Sequence, residues 1–416
     1  VRLADELVEH FFRHEYGRIV SVLTRSLGTR HLELVEDIVQ TAMERALRHW
    51  GEAGVPDDPA AWLFQTARRL AIDALRRQRL HGRFLSEHQN VNPAKAAKVE
   101  LPVFIADEIG DESLRMLFLC CHPSVPEEAR VAFALKTVCG FSASEIARAL
   151  FLSAENAQKR IERARQSLRE QALELDALNH PWMQVRLTSV HTVIYLLFNE
   201  GHFAARAPEP IHVELCQEAI RLGELLVGHK IGRTPETYAL LAVMAFHAAR
   251  LRARIDPAGS LILLNEQDRN AWDAELIQAG MHWMALAANG NELSRYHIEA
   301  AIAWEHCRAP SIAETDWNQL LQLYQMLERV VPGPAQTMNL AIVEAKVHGP
   351  SAALKRLHAF DTSQLPKSYP LWWTVLAELT QQAGDASQSR EYFLRALASC
   401  QSLVERAHLE QRLKAI

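Results

Sequence analysis

The stretch from Glu127 to Glu170, EEARVAFALKTVCGFSASEIARALFLSAENAQKRIERARQSLRE, admits few folds, because its breaks divide it into three short helices joined by tight turns. Pro126 stands at the start of the first, whose Val131, Leu135 and Val138 repeat at helical spacing until Gly140. Ser142 or Ser144 caps the second. The Ser142 and Glu145 pair has capping-box spacing, and Ile146, Ala147 and Leu150 form the buried face before the turn at Phe151 to Ser153. In the third helix Ala157, Ile161, Ala164 and Leu168 point inward, while Asn156, Gln158, Lys159, Arg160, Arg163, Arg165 and Arg169 lie on the other faces. Such a helix fits a major groove: amides suit adenine edges, cations suit guanine edges, and the remaining cations hold phosphates. The plain alternative is a helical hairpin with a solvated charged face.

A chain of 416 residues has room for two to four domains, each with its own core. Its 45 Lys and Arg against 50 Asp and Glu give a net charge of −5, so nucleic-acid contact must be local. With 49% hydrophobic and 23% charged residues the composition is that of a soluble protein. No apolar run approaches the roughly 18 to 20 residues of a membrane span. The start, VRLADELVEHFF, lacks the succession of a secretory signal, and the expected compartment is the cytoplasm. The six cysteines have no framework spacing, which fits a reduced interior. Cys120, Cys121 and His122 cluster, but a zinc site needs a second paired half that the chain lacks; no metal and no cofactor are expected.

Residues 1 to 90 read as helices. Leu3, Leu7 and Phe11 begin a stripe that Val20, Leu23 and Leu27 continue to Gly28. The next helix, His31 to Trp50, repeats Val35, Ile38, Val39, Ala42, Met43, Ala46 and Leu47. It leaves Glu33, Glu36, Asp37, Gln40, Thr41 and Glu44 toward solvent, an acidic face fit to dock a partner. After a turn-rich loop, Gly51 to Pro59, comes a helix with Trp62, Leu63, Ala67, Leu70, Ala71, Ala74 and Leu75 on one side. Arg68, Arg69, Arg76, Arg77, Arg79 and Arg83 outnumber its single acid, Asp73. Cations beside aromatic residues suit a nucleic-acid strand, though Trp62 and Phe64 serve equally as core anchors.

The runs VEDIVQTAMERALRHW, PAAWLFQTARRLAIDALRR and Glu127 to Glu170, in this order, resemble regions two and four of sigma-70 family factors of the extracytoplasmic-function type. HTVIYLLFNEGHF, LLNEQDRNAWDAELI and ETDWNQLLQLYQML resemble the tetratricopeptide-like C-terminal extension of one subgroup. The resemblance implies that Asp37 and Gln40 contact the clamp of the largest subunit of core RNA polymerase. It also implies that the Gly51 to Pro59 loop with Arg68, Arg69 and Arg76 melts and reads the minus-ten element of promoter DNA. Asn156, Gln158, Lys159, Arg160 and Arg163 are then the contacts to the minus-thirty-five element. Arg69 stands where many members have Asn, at a position that helps hold a flipped base, so no minus-ten preference carries over; Thr41 and Met43 differ from the acidic and aromatic residues common there, and docking is still expected.

Glu87 to about Asp107 is polar and proline-bearing and reads as a flexible linker, with Asp111 to Cys121 as the first helix of the second module. From Leu178 onward helical stripes alternate with Gly or Pro breaks, at Val185 to Asn199, His212 to Val227, Pro235 to Ala249, Trp272 to Ala288 and Leu293 to Cys307. Trp373, Leu376, Ala377, Gly384, Phe393 and Ala396 fall on the tetratricopeptide pattern, with Ser389 in place of its usual Ala. Gly349 lies 35 residues before Gly384, and Tyr324 with Pro332 sits one period earlier, so about three stacked hairpins are expected. Glu266, Asp268, Arg269 and Asp273 crowd one turn without a nucleophile and read as a salt-bridged packing corner. His191, His202, His247 and His297 lack ligand spacing, and no phosphate-binding glycine loop occurs.

The expectation is an all-α chain: region two over 1–86, a linker over 87–110, a region-four helix-turn-helix over 111–172, and a tetratricopeptide-like domain over 178–416. It implies a sigma factor that catalyses nothing, binds core polymerase and promoter DNA, and touches no membrane. The C-terminal domain is expected to regulate it through a regulatory protein or an intramolecular contact. The rival is a dimeric helix-turn-helix regulator with a tetratricopeptide-like sensor domain, which binds paired half-sites without polymerase.

Overall fold

The computed structural model describes residues 2–85, 111–150, 152–171, 180–202, 213–254, 262, 264, 266–365, 369–400 and 403–414. Among them there are eighteen α-helices, a few 3-10 turns and no strand, so the fold is all-α. The expected linker lies outside the described residues. The described chain forms two compact units, one of residues 1–197 with 225–232, the other of 198–224 with 233–416.

In the first unit α1 (Arg2–Leu27) meets α2 (Leu32–Ala53) across Gly28, whose φ of 87° only glycine adopts without strain. α2 packs through Leu32, Val35, Ile38, Val39, Ala42 and Ala46, all buried, while Leu47 is exposed. The helix runs past Gly51 and stops at Gly54, whose N–H donates to the Trp50 carbonyl. The loop is therefore shorter than its composition suggests. Asp58 accepts from the Ala61 N–H at 2.9 Å and opens α3 (Pro59–Leu85) with proline at its first position. Trp62 stacks on His49 at 5.6 Å and meets the edge of the buried Trp50, so it joins α2 to α3.

α4 (Glu112–Cys120) is capped by Asp111, and α5 (Glu127–Thr137), α6 (Ala143–Ala149) and α7 (Ala154–Gln171) follow. Their breaks have the chemistry the sequence predicts. Glu145 N–H donates to Ser142 Oγ while Ser142 N–H donates to the Glu145 carboxylate, which completes the capping box; Asn156 N–H donates to Ser153 Oγ. Ala157, Ile161, Ala164 and Leu168 are fully buried against α5 and α6. Each such branched side chain contributes about 2 kcal/mol. Cys120 and Cys121 are buried and burial pushes both thiols up, Cys121 to about 12. His122 Nδ1 accepts from Ser124 N–H at 3.1 Å, and the pair of cysteines serves as core. Arg186, from α8 (His180–His202), is buried and donates to the Phe118 carbonyl at 3.0 Å.

The second unit continues with α9 (Val213–Gly228), α10 (Pro235–Ala248), α11 (Ala274–Ala287), α12 (Arg295–Arg308), α13 (Trp317–Val330), α14 (Pro334–His348), α15 (Pro350–Ala359), α16 (Pro370–Gln382), α17 (Ala386–Ser399) and α18 (Leu403–Lys414). Consecutive helices pack as pairs, α14 on α15 and α16 on α17. Gly349 and Gly384, 35 residues apart, both take positive φ between partners, 84° and 90°. Ser389 is fully buried, and its hydroxyl donates to the Ala377 carbonyl at 2.8 Å, so the departure from alanine is hydrogen-bonded.

Candidate nucleic-acid and partner interfaces

Asp37 and Gln40 lie one turn apart on the exposed face of α2, flanked by exposed Glu33 and Glu44. Thr41 is half-buried, its hydroxyl bonded to the Asp37 carbonyl. Glu36, expected on the same acidic face, is buried, with only 6% of its area exposed. It accepts from Thr137 Oγ1 at 3.1 Å and from Arg165 Nη2 at 2.6 Å. Its position was readable: Leu32, Val35, Glu36 and Val39 follow helical spacing and share one stripe. Burial pushes the Glu36 carboxyl up, against the opposing pull of Arg165 and the Thr137 hydrogen bond.

On α3, Arg69 and Arg76 are exposed two turns apart, and Arg68 is half-buried with its Nε enclosed and without a partner. Arg76 lies 3.9 Å from Asp73, both highly exposed, a pair of little energetic weight. Among the described residues Arg69 has no ionic partner. Arg79 and Arg83 fall on side chains outside the described set.

On α7, Asn156, Gln158, Lys159 and Arg163 are exposed and Arg160 half-buried. Asn156, Lys159, Arg160 and Arg163 follow i, i+3, i+4, i+7 spacing, so they form one stripe in the N-terminal half of the helix. Lys159 pairs with Glu155 at 2.6 Å, Arg163 lies 3.9 Å from Glu128, and Arg160 donates to the Glu128 carbonyl at 2.9 Å. Arg165 and Arg169 turn the other way, onto α2, where they meet Glu36 and Glu33. The basic character of α7 is thus divided between an outer stripe and an inner pair.

The same face joins the two modules. Arg25 of α1 pairs with Glu112 of α4 at 2.6 Å, with both side chains mostly buried. Gly17 of α1 lies so close to Val138 that a Cβ there would stand 1.8 Å from its carbonyl oxygen. These contacts were invisible in the sequence, because partners 87 to 136 residues apart carry no local pattern.

The expected salt-bridged corner is corrected. Asp268 accepts from Asn270 N–H and Asp273 from Glu275 and Leu276 N–H, so both carboxylates cap turns. Arg269 donates to backbone carbonyls instead, and among the described residues it has no ion pair.

Residues 11–81 match the family model described as Sigma-70 region 2, and residues 115–168 match Sigma-70, region 4. Residues 186–288 match a family of unknown function, DUF6596. The uncharacterized protein R00370 of Rhizobium meliloti (strain 1021) is 34% identical over 405 residues, 95% of this chain and 94% of that protein. The RNA polymerase sigma factor CarQ of Myxococcus xanthus is 30% identical over 175 residues, 42% of this chain and 93% of CarQ. No solved structure matches. No helix of the described residues is long and apolar enough to cross a membrane.

Proposed function

Because the chain belongs to the sigma-70 family of RNA polymerase sigma factors, we propose that it directs core polymerase to promoters as a factor of the extracytoplasmic-function type. One observation carries the reading: a single unit presents an exposed Asp37 and Gln40 face, an exposed Arg69 and Arg76 pair, and the outer stripe of α7. Three separate exposed faces on one unit suit a partner protein and two DNA segments. Asp37 and Gln40 dock on the clamp of the largest subunit. Arg68, Arg69 and Arg76, with the exposed loop at residues 54–58, engage the minus-ten element, where cations hold phosphates of the opened strand. Asn156, Gln158, Lys159, Arg160 and Arg163 read the minus-thirty-five element in the major groove. The protein acts in the cytoplasm, and polymerase performs the chemistry.

The helical pairs of the second unit, with positive-φ glycines 35 residues apart, suit a tetratricopeptide-like domain that regulates the factor. Reconstituted transcription on a promoter library tests the whole reading. Core polymerase with this protein initiates at defined sites, and Asp37→Ala with Gln40→Ala weakens initiation at least tenfold. Binding to duplex half-sites without polymerase, and no initiation, discards the reading.

A further inference from the structure

Three helix ends lie close together in the second unit: α8 at His202, α10 at Ala248 followed by the 3-10 turn Leu251–Arg254, and α12 at Arg308. Helix C-termini carry free carbonyls and partial negative charge, so cations belong there. Two arginines answer that need. Arg254 is 7% exposed and donates from Nη1 to the His202 carbonyl at 2.6 Å. Arg269 donates from Nη1 to the His306 carbonyl at 2.6 Å and to the Ala309 carbonyl, and lies 5.2 Å from the centre of the Trp272 ring.

Arg250 answers no such need. It is only partly exposed, yet its guanidinium has no hydrogen bond and no ion pair with any described group, and its Nε is enclosed without a partner. His202 Nε2 and His306 Nδ1 are enclosed and unpartnered as well. The surroundings are cationic or neutral. Arg254, Arg269, His247 and His306 act on one another and on Arg250, and burial holds His202 and His247 well down and His306 down to about 4. The acids in electrostatic reach are engaged elsewhere: Glu314 with Ser311, and Glu299, beside Tyr324, with Arg295. No carboxylate pairs with Arg250, Arg254 or Arg269 among the described residues. A buried guanidinium without a counter-charge is strongly unfavourable unless something supplies one.

His202, His247, Arg250, His306 and Tyr324 share a second property. Each is largely enclosed by protein, yet each keeps some accessible surface. Among the described residues no three His, Cys, Asp or Glu side chains are grouped to hold an ion. We propose that this cluster is a binding site for a small polyanion, a phosphate ester or a polycarboxylate, with Arg250 receiving its charge and His202 and His306 completing its hydrogen bonds. Binding is a property of this chain alone and does not rest on the polymerase reading.

The test uses the full chain, with thermal unfolding and titration calorimetry in pyrophosphate and in citrate, each against sodium chloride of equal ionic strength. A response to pyrophosphate alone assigns a phosphate ester, and one to citrate alone a polycarboxylate. Either raises the wild-type Tm by several degrees at saturation. Arg250→Met raises the Tm of the free chain, by removing the uncompensated charge, and abolishes the response. Arg250→Lys keeps a charge without the fork, binds at least tenfold more weakly, and covers the case in which the methionine variant fails to fold. A wild-type response no larger than that to chloride, or an equal response in the folded Arg250 variants, overturns the proposal.

Discussion

Glu36 shows how one carboxylate changes the reading of a helix. Its place on the stripe of Leu32, Val35 and Val39 was legible, but charge outweighed position when the face was read as acidic. What the stripe could not reveal was the partner, since Arg165 stands 129 residues away and meets Glu36 at 2.6 Å. Removing Arg165 alone leaves a dry carboxylate beside Thr137, so Arg165→Met costs about 3 kcal/mol in urea unfolding. Glu36→Gln keeps the shape and much of the hydrogen bonding and relieves desolvation, and the double variant recovers most of that loss. The pH dependence has a definite sign. Because the folded carboxyl is raised, its contribution to stability is full below the unfolded value and fades as pH rises through the folded one. The Tm difference between Glu36→Gln and wild type therefore moves in favour of the variant as pH rises from acid to neutral. A flat difference, or a double variant whose losses simply add, removes the coupling.

At the scale of the element, α7 divides its cations by direction. Lys159 and Arg163 on the outer stripe are exposed, whereas Arg165 and Arg169 face α2. Contacts to phosphates and to base edges weaken binding in different ways, so substitution separates them. Replacing a phosphate contact lowers affinity evenly across sequences and reduces the salt slope by about one, while loss of a base contact costs about 1 to 3 kcal/mol at one position. Arg163→Ala and Lys159→Ala in promoter binding by the reconstituted holoenzyme show one of these two patterns; an unchanged affinity at both removes the outer stripe from DNA recognition. The break residues of this module were fully legible, because Ser142, Glu145 and Ser153 act within four residues of themselves. Helix periodicity likewise placed the C-terminal helices to within a few residues. The Asp268 to Asp273 corner was misread because capping and ion pairing use the same side chains, and only geometry distinguishes them.

Across the first unit as a whole, the packing of α2 on α7 sets a limit on what this conformation can do. Helices in contact lie roughly 10 Å apart. The minus-ten and minus-thirty-five elements are separated by about 25 base pairs, roughly 85 Å at about 3.4 Å per pair. A factor held together by Arg25 with Glu112, Glu36 with Arg165, and the close approach of Gly17 to Val138 cannot span that distance. On the proposed assignment of the promoter contacts, engagement of both elements requires these contacts to part, and the Glu33 with Arg169 pair offers a handle, since both side chains are about half exposed and removal of an exposed pair costs little. A chain carrying Glu33→Cys and Arg169→Cys, joined by a short bismaleimide, retains its fold and loses promoter-dependent initiation with core polymerase. The same double variant without cross-linker, and each single variant treated with it, initiate normally. Equal initiation by the joined and unjoined chains would mean that the two modules read DNA while packed, and the closed arrangement would then be the working one.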